Sequence, residues 1–200
     1  ISFAANSCGY SGTTQELIIN WVHPLFLKAK AEASKADNPN WWEAMRSPFA
    51  NEYWKPAVKE IETLEKMGVW DVVDCPEGAN VVDSTWAFKI KRYPDGLIKK
   101  FKARFCVRGD QQVYGVDFFE TYAPVVQWTT IWLMLILEVL LGLKSKQGDI
   151  TAAFVHADIE KGKNIYVEMP HGFRKQEKVL KLKKTLYGLR QSPRAFWLYL

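Results

Sequence analysis

The segment Trp86-Ala87-Phe88-Lys89-Ile90-Lys91 leads into the triplet Pro94-Asp95-Gly96, and a second strand-like run from Leu97 to Val107 follows it. After its first residues the first segment alternates apolar and polar side chains, which is typical of a half-buried β-strand. Proline presets one backbone dihedral of a turn, and glycine accepts a positive φ. The stretch from residue 86 to residue 107 therefore predicts a β-hairpin, the element around which the fold is built.

The second strand of this hairpin is basic. Its cations are Lys99, Lys100, Lys102, Arg104 and Arg108. Such a row can bind phosphate groups, and it can equally be the solvated face of a strand.

Helices and strands are interspersed on both sides of the hairpin, which indicates an α+β fold. A helix is predicted over residues 51–67, with a buried face of Trp54, Val58, Ile61, Leu64 and Met67. Residues 41–45 predict one short helical turn, and a helix capped by Thr129-Thr130 is apolar nearly all round, so we expect it to be buried. Ser192-Pro193 predicts a further helix, with Ser192 as its cap. Strands are predicted at 70–73, 81–82, 147–149, 164–169 and 178–183.

The composition favours a globular protein over a disordered or fibrous one. Hydrophobic residues make up 48% of the 200 positions and charged residues 24%. The 27 Lys and Arg exceed the 22 Asp and Glu, a net charge of +5 that permits a nucleic-acid partner without establishing one. The three cysteines lack metal-type spacing, which fits a reducing compartment. The longest apolar run, from Ile131 to Leu143, is too short for a membrane span, so no membrane partner is expected.

Two segments could carry chemistry. Asp149 follows a predicted strand and precedes small residues, a position from which a carboxylate could bind Mg²⁺ together with substrate phosphates; it could equally cap a helix. The segment from Leu186 to Arg194 places a Gly turn and basic residues before a helix N-terminus, which suits a phosphate or a nucleic-acid backbone. Its alternative is an ordinary capped loop.

The ordered set of motifs resembles the reverse transcriptase domain of copia-type LTR retrotransposons over about residues 37 to 200. In chain order the matching segments are Asp37-Asn38-Pro39, Glu43-Ala44-Met45, Trp54 to Leu64, Trp86-Ala87-Phe88-Lys89, Asp95-Gly96-Leu97-Ile98, Lys102 to Gln112, Gly115-Val116-Asp117-Phe118, Glu120 to Val125, Gln147-Gly148-Asp149-Ile150, Ala153-Phe154, Ile165-Tyr166-Val167, Pro170, Gly172-Phe173 and Leu186 to Arg194. Single matches are weak, but this many in order are specific.

The resemblance implies a right-hand polymerase that comprises the fingers and the first part of the palm. It divides the chain into a weakly structured arm (residues 1–47) and the reverse transcriptase region (48–200). Asp149 would be the first catalytic carboxylate, binding Mg²⁺ or Mn²⁺ together with Ile150. Lys102, Arg104, Phe154, Tyr187 and Gly188 would contact the incoming nucleotide, with Phe154 excluding a 2′-hydroxyl; Phe154 could equally be a core aromatic. Arg190, Gln191, Ser192 and Pro193 would contact the template and primer.

The same resemblance implies the partners and the setting of the reaction. The substrates would be deoxynucleoside triphosphates and an RNA or DNA template with its primer. The rest of a Pol polyprotein, with RNase H and integrase, is expected beside this region, in an intracellular, cytoplasmic virus-like particle. The second metal-binding motif of the family, Tyr-x-Asp-Asp, is expected beyond Leu200, so this chain alone is expected to be inactive.

One residue and one three-residue segment depart from the family pattern. Trp132 stands where an arginine is usual, and His156-Ala157-Asp158 replaces a small glycine turn. These departures leave open a second interpretation, a non-catalytic or decayed retroelement remnant that at most binds nucleic acid.

Overall fold

The computed structural model of the chain describes residues 35–200 and contains both helices and strands. The helices are α1 (Trp41–Arg46), α2 (Ala50–Lys66), α3 (Trp128–Leu141) and α4 (Ser192–Tyr199). The strands are β1 (Trp70–Asp74), β2 (Val81–Val82), β3 (Ser84–Arg92), β4 (Ile98–Val107), β5 (Tyr166–Glu168) and β6 (Lys178–Leu182). Short 3-10 turns lie at Gly109–Gln111 and Ala153–His156.

Strands β3 and β4 form the predicted hairpin. Phe88 pairs with Ala103 and Lys89 with Lys102 in an antiparallel register. The Tyr93 N–H donates to the Leu97 carbonyl (2.9 Å) and the Gly96 N–H to the Tyr93 carbonyl (3.0 Å), which closes the turn. One face of the hairpin is buried and the other carries the lysines, so the alternation in the sequence sets the register.

The other four strands form a second sheet in the order β1-β6-β5-β2. β6 runs antiparallel to both β1 and β5, and β2 pairs in parallel with β5. A single apolar core joins α2, the hairpin and this sheet; Tyr53, Leu64, Phe105 and Leu180 are among its most buried side chains. The β-strand predictions around the hairpin are therefore confirmed at β1, β2, β5 and β6.

The short helix α1 is also confirmed. Asn40 caps it by accepting a hydrogen bond from the Glu43 N–H (2.9 Å), and the Glu43 carboxylate in turn accepts one from the Asn40 N–H (2.8 Å). Ala44 is fully buried in the core. Of the proposed arm the structure describes residues 35–47, and α1 packs there with the rest of the fold; the division at residue 47 stays a prediction, because residues 1–34 lie outside the described residues.

Helix α2 is present, and two residues of its predicted buried face, Ile61 and Leu64, are buried. The other buried side chains are Tyr53 and Ala57, whereas the predicted Trp54 is 36% exposed and stacks on Phe173 with centroids 5.0 Å apart. The predicted and the observed buried faces of α2 both follow the helical period, so the period alone does not distinguish them. Trp54 is large enough to lie at the edge of the core and still contact Phe173.

Helix α3 contradicts two expectations. None of its residues is buried, and Trp132 is 61% exposed. Apolar residues all round a helix predict burial only where a second surface covers it, and among residues 35–200 none does. The helix also begins earlier than predicted: its cap is Gln127, two residues before Thr129, so Thr129 and Thr130 lie inside the helix and do not cap it.

The predicted strand at 147–149 is absent. Residues 143–150 have no regular secondary structure, because within the described part of the chain no strand lies beside them to complete a hydrogen-bonded ladder. Asp149 therefore lies in an irregular segment and not at a strand end. In residues 35–200 no helix is both long and apolar enough to cross a membrane.

Candidate nucleotide and template site

The outward face of the hairpin is a regular array of cations. Lys91 lies opposite Lys100, Lys89 opposite Lys102, and Arg104 follows two residues further along β4. These side chains alternate with the buried ones, so the period of the strand places them on one face. Partial burial lowers the pKa of Lys102, and the positive charges of Arg104 and Lys91 lower it further.

Arg104, on this face, contacts a small group of aromatic rings formed by Tyr187, Phe154 and Phe196. Its guanidinium lies 4.9 Å from the centre of the Tyr187 ring, within cation–π range. Phe154 meets the same tyrosine edge-on, with ring centroids 5.2 Å apart, and also meets Phe196 edge-on, with ring centroids 6.1 Å apart. Three residues predicted to contact the nucleotide, Arg104, Phe154 and Tyr187, are thus neighbours in space although they lie up to 83 positions apart in sequence.

Asp149 and Ile150 lie in the irregular segment that precedes Phe154 in the chain, and both are exposed. Burial raises the pKa of Tyr187; the positive charge of Arg104 lowers it, and interactions with Glu60, Cys106 and Asp149 raise it further. Asp149 does not cap a helix, since the 3-10 turn after it begins at Ala153 and has Ala152 as its cap.

The loop from Leu186 to Gln191 is held tightly against the end of β4. Gly188 adopts a φ of +94°, and a Cβ atom there would lie 2.0 Å from the Val107 carbonyl oxygen. A Cβ atom on Gly109 would in turn lie 2.0 Å from the Gly188 carbonyl oxygen. The Val107 N–H donates to the Tyr187 carbonyl at 2.8 Å. Glycine is required at both positions for the two backbones to approach this closely.

A buried polar network anchors the same loop from its other side. The Gln112 side chain accepts the Arg190 N–H (2.9 Å) and donates to the Gln191 side chain (3.1 Å). Gln191 donates to the Asp117 carbonyl (3.2 Å), and the Asp117 carboxylate accepts from Asn80 (2.8 Å). Every buried polar side chain in residues 35–200 has a hydrogen-bond partner, so the network is complete within this region.

Several polar atoms of the predicted template segment are used inside the protein. Arg190 donates from Nε to the Gly109 carbonyl (2.7 Å) and lies over the Phe118 ring. Ser192 is buried and donates to the Leu186 carbonyl (2.6 Å). It is the first residue of α4 and not its cap, which is Gln191; its hydroxyl closes the loop instead. Pro193 is exposed, and the template and primer roles of the segment stay predictions.

Sequence reasoning assigned no role to Gln112, Asp117 or Gly109. All three lie in segments that match the family motifs. The match marked these segments as part of the family pattern but did not indicate that the three residues anchor the loop from Leu186 to Gln191. Gln112 and Asp117 are 7% and 4% exposed, which is unusual for such polar residues and identifies them as structural anchors.

The described residues offer limited means to bind a metal. Asp149 supplies one carboxylate and Ile150 a backbone carbonyl, both oxygen ligands of the kind Mg²⁺ prefers. No group of three or more His, Cys, Asp or Glu side chains in residues 35–200 could enclose an ion. Mg²⁺ is commonly bound by one or two carboxylates together with substrate phosphates, and this donor set fits that mode.

Comparison with known proteins identifies the family. The model of the family "Reverse transcriptase (RNA-dependent DNA polymerase)" matches residues 67–200. The chain belongs to this reverse transcriptase family. It is 38% identical over 159 residues to the retrovirus-related Pol polyprotein from transposon TNT 1-94 of Nicotiana tabacum, a match that covers 78% of this chain and 12% of the relative.

Other relatives agree with this assignment to the copia type. The Pol polyprotein from transposon RE1 of Arabidopsis thaliana is 33% identical over 75% of this chain and 10% of its own length. The Ty1-ER2 Gag-Pol polyprotein of Saccharomyces cerevisiae is 35% identical over 67% of this chain and 8% of its own length. The chain therefore spans about a tenth of the length of these relatives. No solved structure matches it.

Proposed function

We propose that this chain forms the nucleotide-binding part of an RNA-directed DNA polymerase that transfers deoxynucleotides to a primer 3′ end. The observation that carries the proposal is the contact of Arg104 and Phe154 with the Tyr187 ring near the C-terminal end of β4. A cation and two aromatic rings match the phosphates and the base or sugar of a nucleoside triphosphate, and Asp149, five residues before Phe154 in the chain, offers a carboxylate for the metal that the phosphates carry.

Each side chain has a role in this proposal. Arg104 and Lys102 bind the triphosphate with charge-assisted hydrogen bonds. Asp149, with the Ile150 carbonyl, binds Mg²⁺ or Mn²⁺, which when bound would polarise the reacting phosphate. Tyr187 orients Arg104 by stacking, and Gly188 lets the loop approach β4. In the right-hand arrangement that we propose, the hairpin belongs to the fingers and Asp149 to the palm.

Primer extension on an RNA template tests this function. The assay needs the second carboxylate motif, so the chain is joined after Leu200 to the Pol segment that follows the matched region in the tobacco relative; we call this the extended protein. We expect extension with Mg²⁺ by the extended protein and none by the 200-residue chain. Robust extension by the short chain, or none by the extended protein while the tobacco protein extends the primer, would contradict the proposal.

Sugar selection tests the role of Phe154. In the extended protein Phe154→Ala should raise the incorporation of ribonucleotides relative to deoxynucleotides, because the ring that would exclude a 2′-hydroxyl is gone. The control is Phe196→Ala, which removes another aromatic ring that contacts Phe154. A purely structural Phe154 would instead lower both rates and the melting temperature together, as large-to-small core substitutions do.

A further inference from the structure

A buried threonine holds the 3-10 turn that carries Phe154. The Thr185 hydroxyl donates to the Phe154 carbonyl at 2.5 Å, and the Thr185 N–H donates to the Ala157 carbonyl at 2.8 Å. Thr185 is only 1% exposed. Its two hydrogen bonds therefore attach the turn to one core residue, at Phe154 inside the turn and at Ala157 directly after it.

The same threonine connects the turn to the second ring of the nucleotide site. Thr185 lies two residues before Tyr187, and Leu186 between them is fully buried. The Tyr187 carbonyl is fixed in turn by the Val107 N–H at 2.8 Å. Since the Phe154 and Tyr187 rings meet edge-on with centroids 5.2 Å apart, their relative position depends on the contact between Thr185 and the turn.

The turn begins from a backbone conformation that needs such support. Ala152, its cap, has a φ of 52° and a ψ of 44°, in the left-handed region that is unfavourable for a residue with a Cβ atom. Strained backbone persists only where the surrounding structure holds it. Val155 anchors the turn by apolar packing, which is not directional, whereas the hydrogen bond from Thr185 is directional and fixes the orientation of the turn.

We propose that Thr185 is a positioning residue for sugar selection, because its hydroxyl fixes the Phe154 turn at the place where the ring excludes a 2′-hydroxyl. The inference rests on the proposed function, since it requires Phe154 to contact the sugar. A displacement of about 1 Å can change a rate by about 100-fold, so loss of one anchoring bond is enough to alter the discrimination between sugars. A threonine that only fills space in the core would not affect which sugar is accepted.

Valine and serine separate the effect of the hydroxyl from that of the side-chain shape. Thr185→Val keeps the branched shape and the N–H bond to Ala157 but removes the hydroxyl donor. Thr185→Ser keeps the donor and removes a methyl group. The matched control is Thr63→Val on α2, where the threonine hydroxyl also donates to a backbone carbonyl, that of Lys59, at 2.7 Å.

Hydrogen exchange of the 200-residue chain measures the anchoring of the turn without catalysis. The reporters are the N–H groups of Val155 and Ala157, which donate within the turn to the Ala152 and Phe154 carbonyls. We expect both to exchange about fivefold faster in Thr185→Val, as the loss of one hydrogen bond allows, and to change by less than about twofold in Thr185→Ser and Thr63→Val. Unchanged exchange in Thr185→Val would overturn the anchoring role.

Single-nucleotide incorporation by the extended protein then measures sugar selection. The quantity is kcat/KM for a ribonucleotide divided by kcat/KM for the matching deoxynucleotide. We expect Thr185→Val to raise this ratio about tenfold, less than Phe154→Ala does, and Thr185→Ser and Thr63→Val to keep the ratio of the unaltered protein. If Thr185→Val is unfolded at the assay temperature, Thr185→Ala against Thr185→Ser repeats the comparison, because these two also differ by the hydroxyl alone.

A merely structural threonine would lower both incorporation rates and the melting temperature together and leave the ratio unchanged. That result in Thr185→Val, or an equal rise of the ratio in Thr185→Ser, would overturn the inference. Absence of primer extension, or an unchanged ratio in Phe154→Ala, would contradict the proposed function and this inference with it. A raised ratio in Phe154→Ala together with an unchanged ratio in Thr185→Val would contradict this inference alone.

Discussion

Replacing Gly188 by alanine should destabilise the fold more than a comparable glycine substitution elsewhere. Two costs apply at this position: the φ of +94° is unfavourable for any residue with a Cβ atom, and that atom would lie 2.0 Å from the Val107 carbonyl oxygen. The first cost is about 1–2 kcal/mol. The second forces the loop away from β4, as overpacking does, at about 1–3 kcal/mol.

The chain provides a control for each cost. Gly96 has a φ of +87°, and a Cβ atom there would have nothing within 4 Å, so Gly96→Ala bears the backbone cost alone. Gly109 has no unusual φ, but its Cβ would lie 2.0 Å from the Gly188 carbonyl oxygen, so Gly109→Ala bears the steric cost alone. Reduced freedom of the unfolded chain offsets up to about 1 kcal/mol in each variant.

Urea unfolding of the three variants measures the difference. We expect losses in the free energy of unfolding of about 1 kcal/mol for Gly96→Ala, about 2 for Gly109→Ala and about 3–4 for Gly188→Ala. In the extended protein Gly188→Ala should also slow primer extension, because Tyr187 moves with the loop. Equal losses for Gly96→Ala and Gly188→Ala would refute the close approach of the loop to β4.

Three further predictions follow from buried groups. Burial raises the pKa of the Cys106 thiol to about 11, so only about one molecule in a thousand carries the Cys106 thiolate at pH 8. Alkylation of Cys106 should therefore be far slower than alkylation of the exposed Cys75 when both are followed by mass spectrometry of the labelled chain. Equal alkylation rates would contradict the burial of Cys106. Burial also raises the pKa of Glu60, so the protonated carboxyl favours the folded state below pH 4.5, and this contribution is lost as the pH rises through the folded-state pKa. Glu60→Gln should therefore raise the melting temperature at pH 7 and leave it unchanged at pH 3. A lower melting temperature at pH 7 would contradict the direction of the pKa shift. Gln112→Ala leaves the Arg190 N–H without its acceptor and should cost about 1–3 kcal/mol and speed hydrogen exchange of that amide, whereas unchanged exchange would remove Gln112 from the anchoring network.

Local patterns predicted the local elements. The alternation and the turn triplet specify β3 and β4 because a strand with one buried face must repeat with a period of two. The apolar period of α2 is equally local. The exact face of α2 was not predictable, since Tyr53 and Trp54 are both large and only the shape of the core decides which one is enclosed.

Two expectations differed because they depend on a partner surface. The apolar sequence of α3 predicts burial, and the run through Asp149 predicts a strand, but each needs a neighbour that residues 35–200 do not provide. The candidate site shows the same division. Its residues were selected from family motifs, while the contacts among Gly109, Gly188 and Gln112 depend on long-range packing that no local pattern encodes.

Under the proposed function, the carboxylate of Asp149 binds a catalytic metal ion. RNA-templated primer extension by the extended protein, comparing Asp149→Asn with Asp158→Asn, measures this role, because Asp158 is also exposed and lies nine residues away. We expect Asp149→Asn to lower the extension rate by at least ~100-fold without changing the melting temperature. This loss exceeds the loss of activity typical for substitutions of residues that only hydrogen-bond to a metal ligand. Asp158→Asn should extend normally. Extension by Asp149→Asn at the unaltered rate would contradict the account.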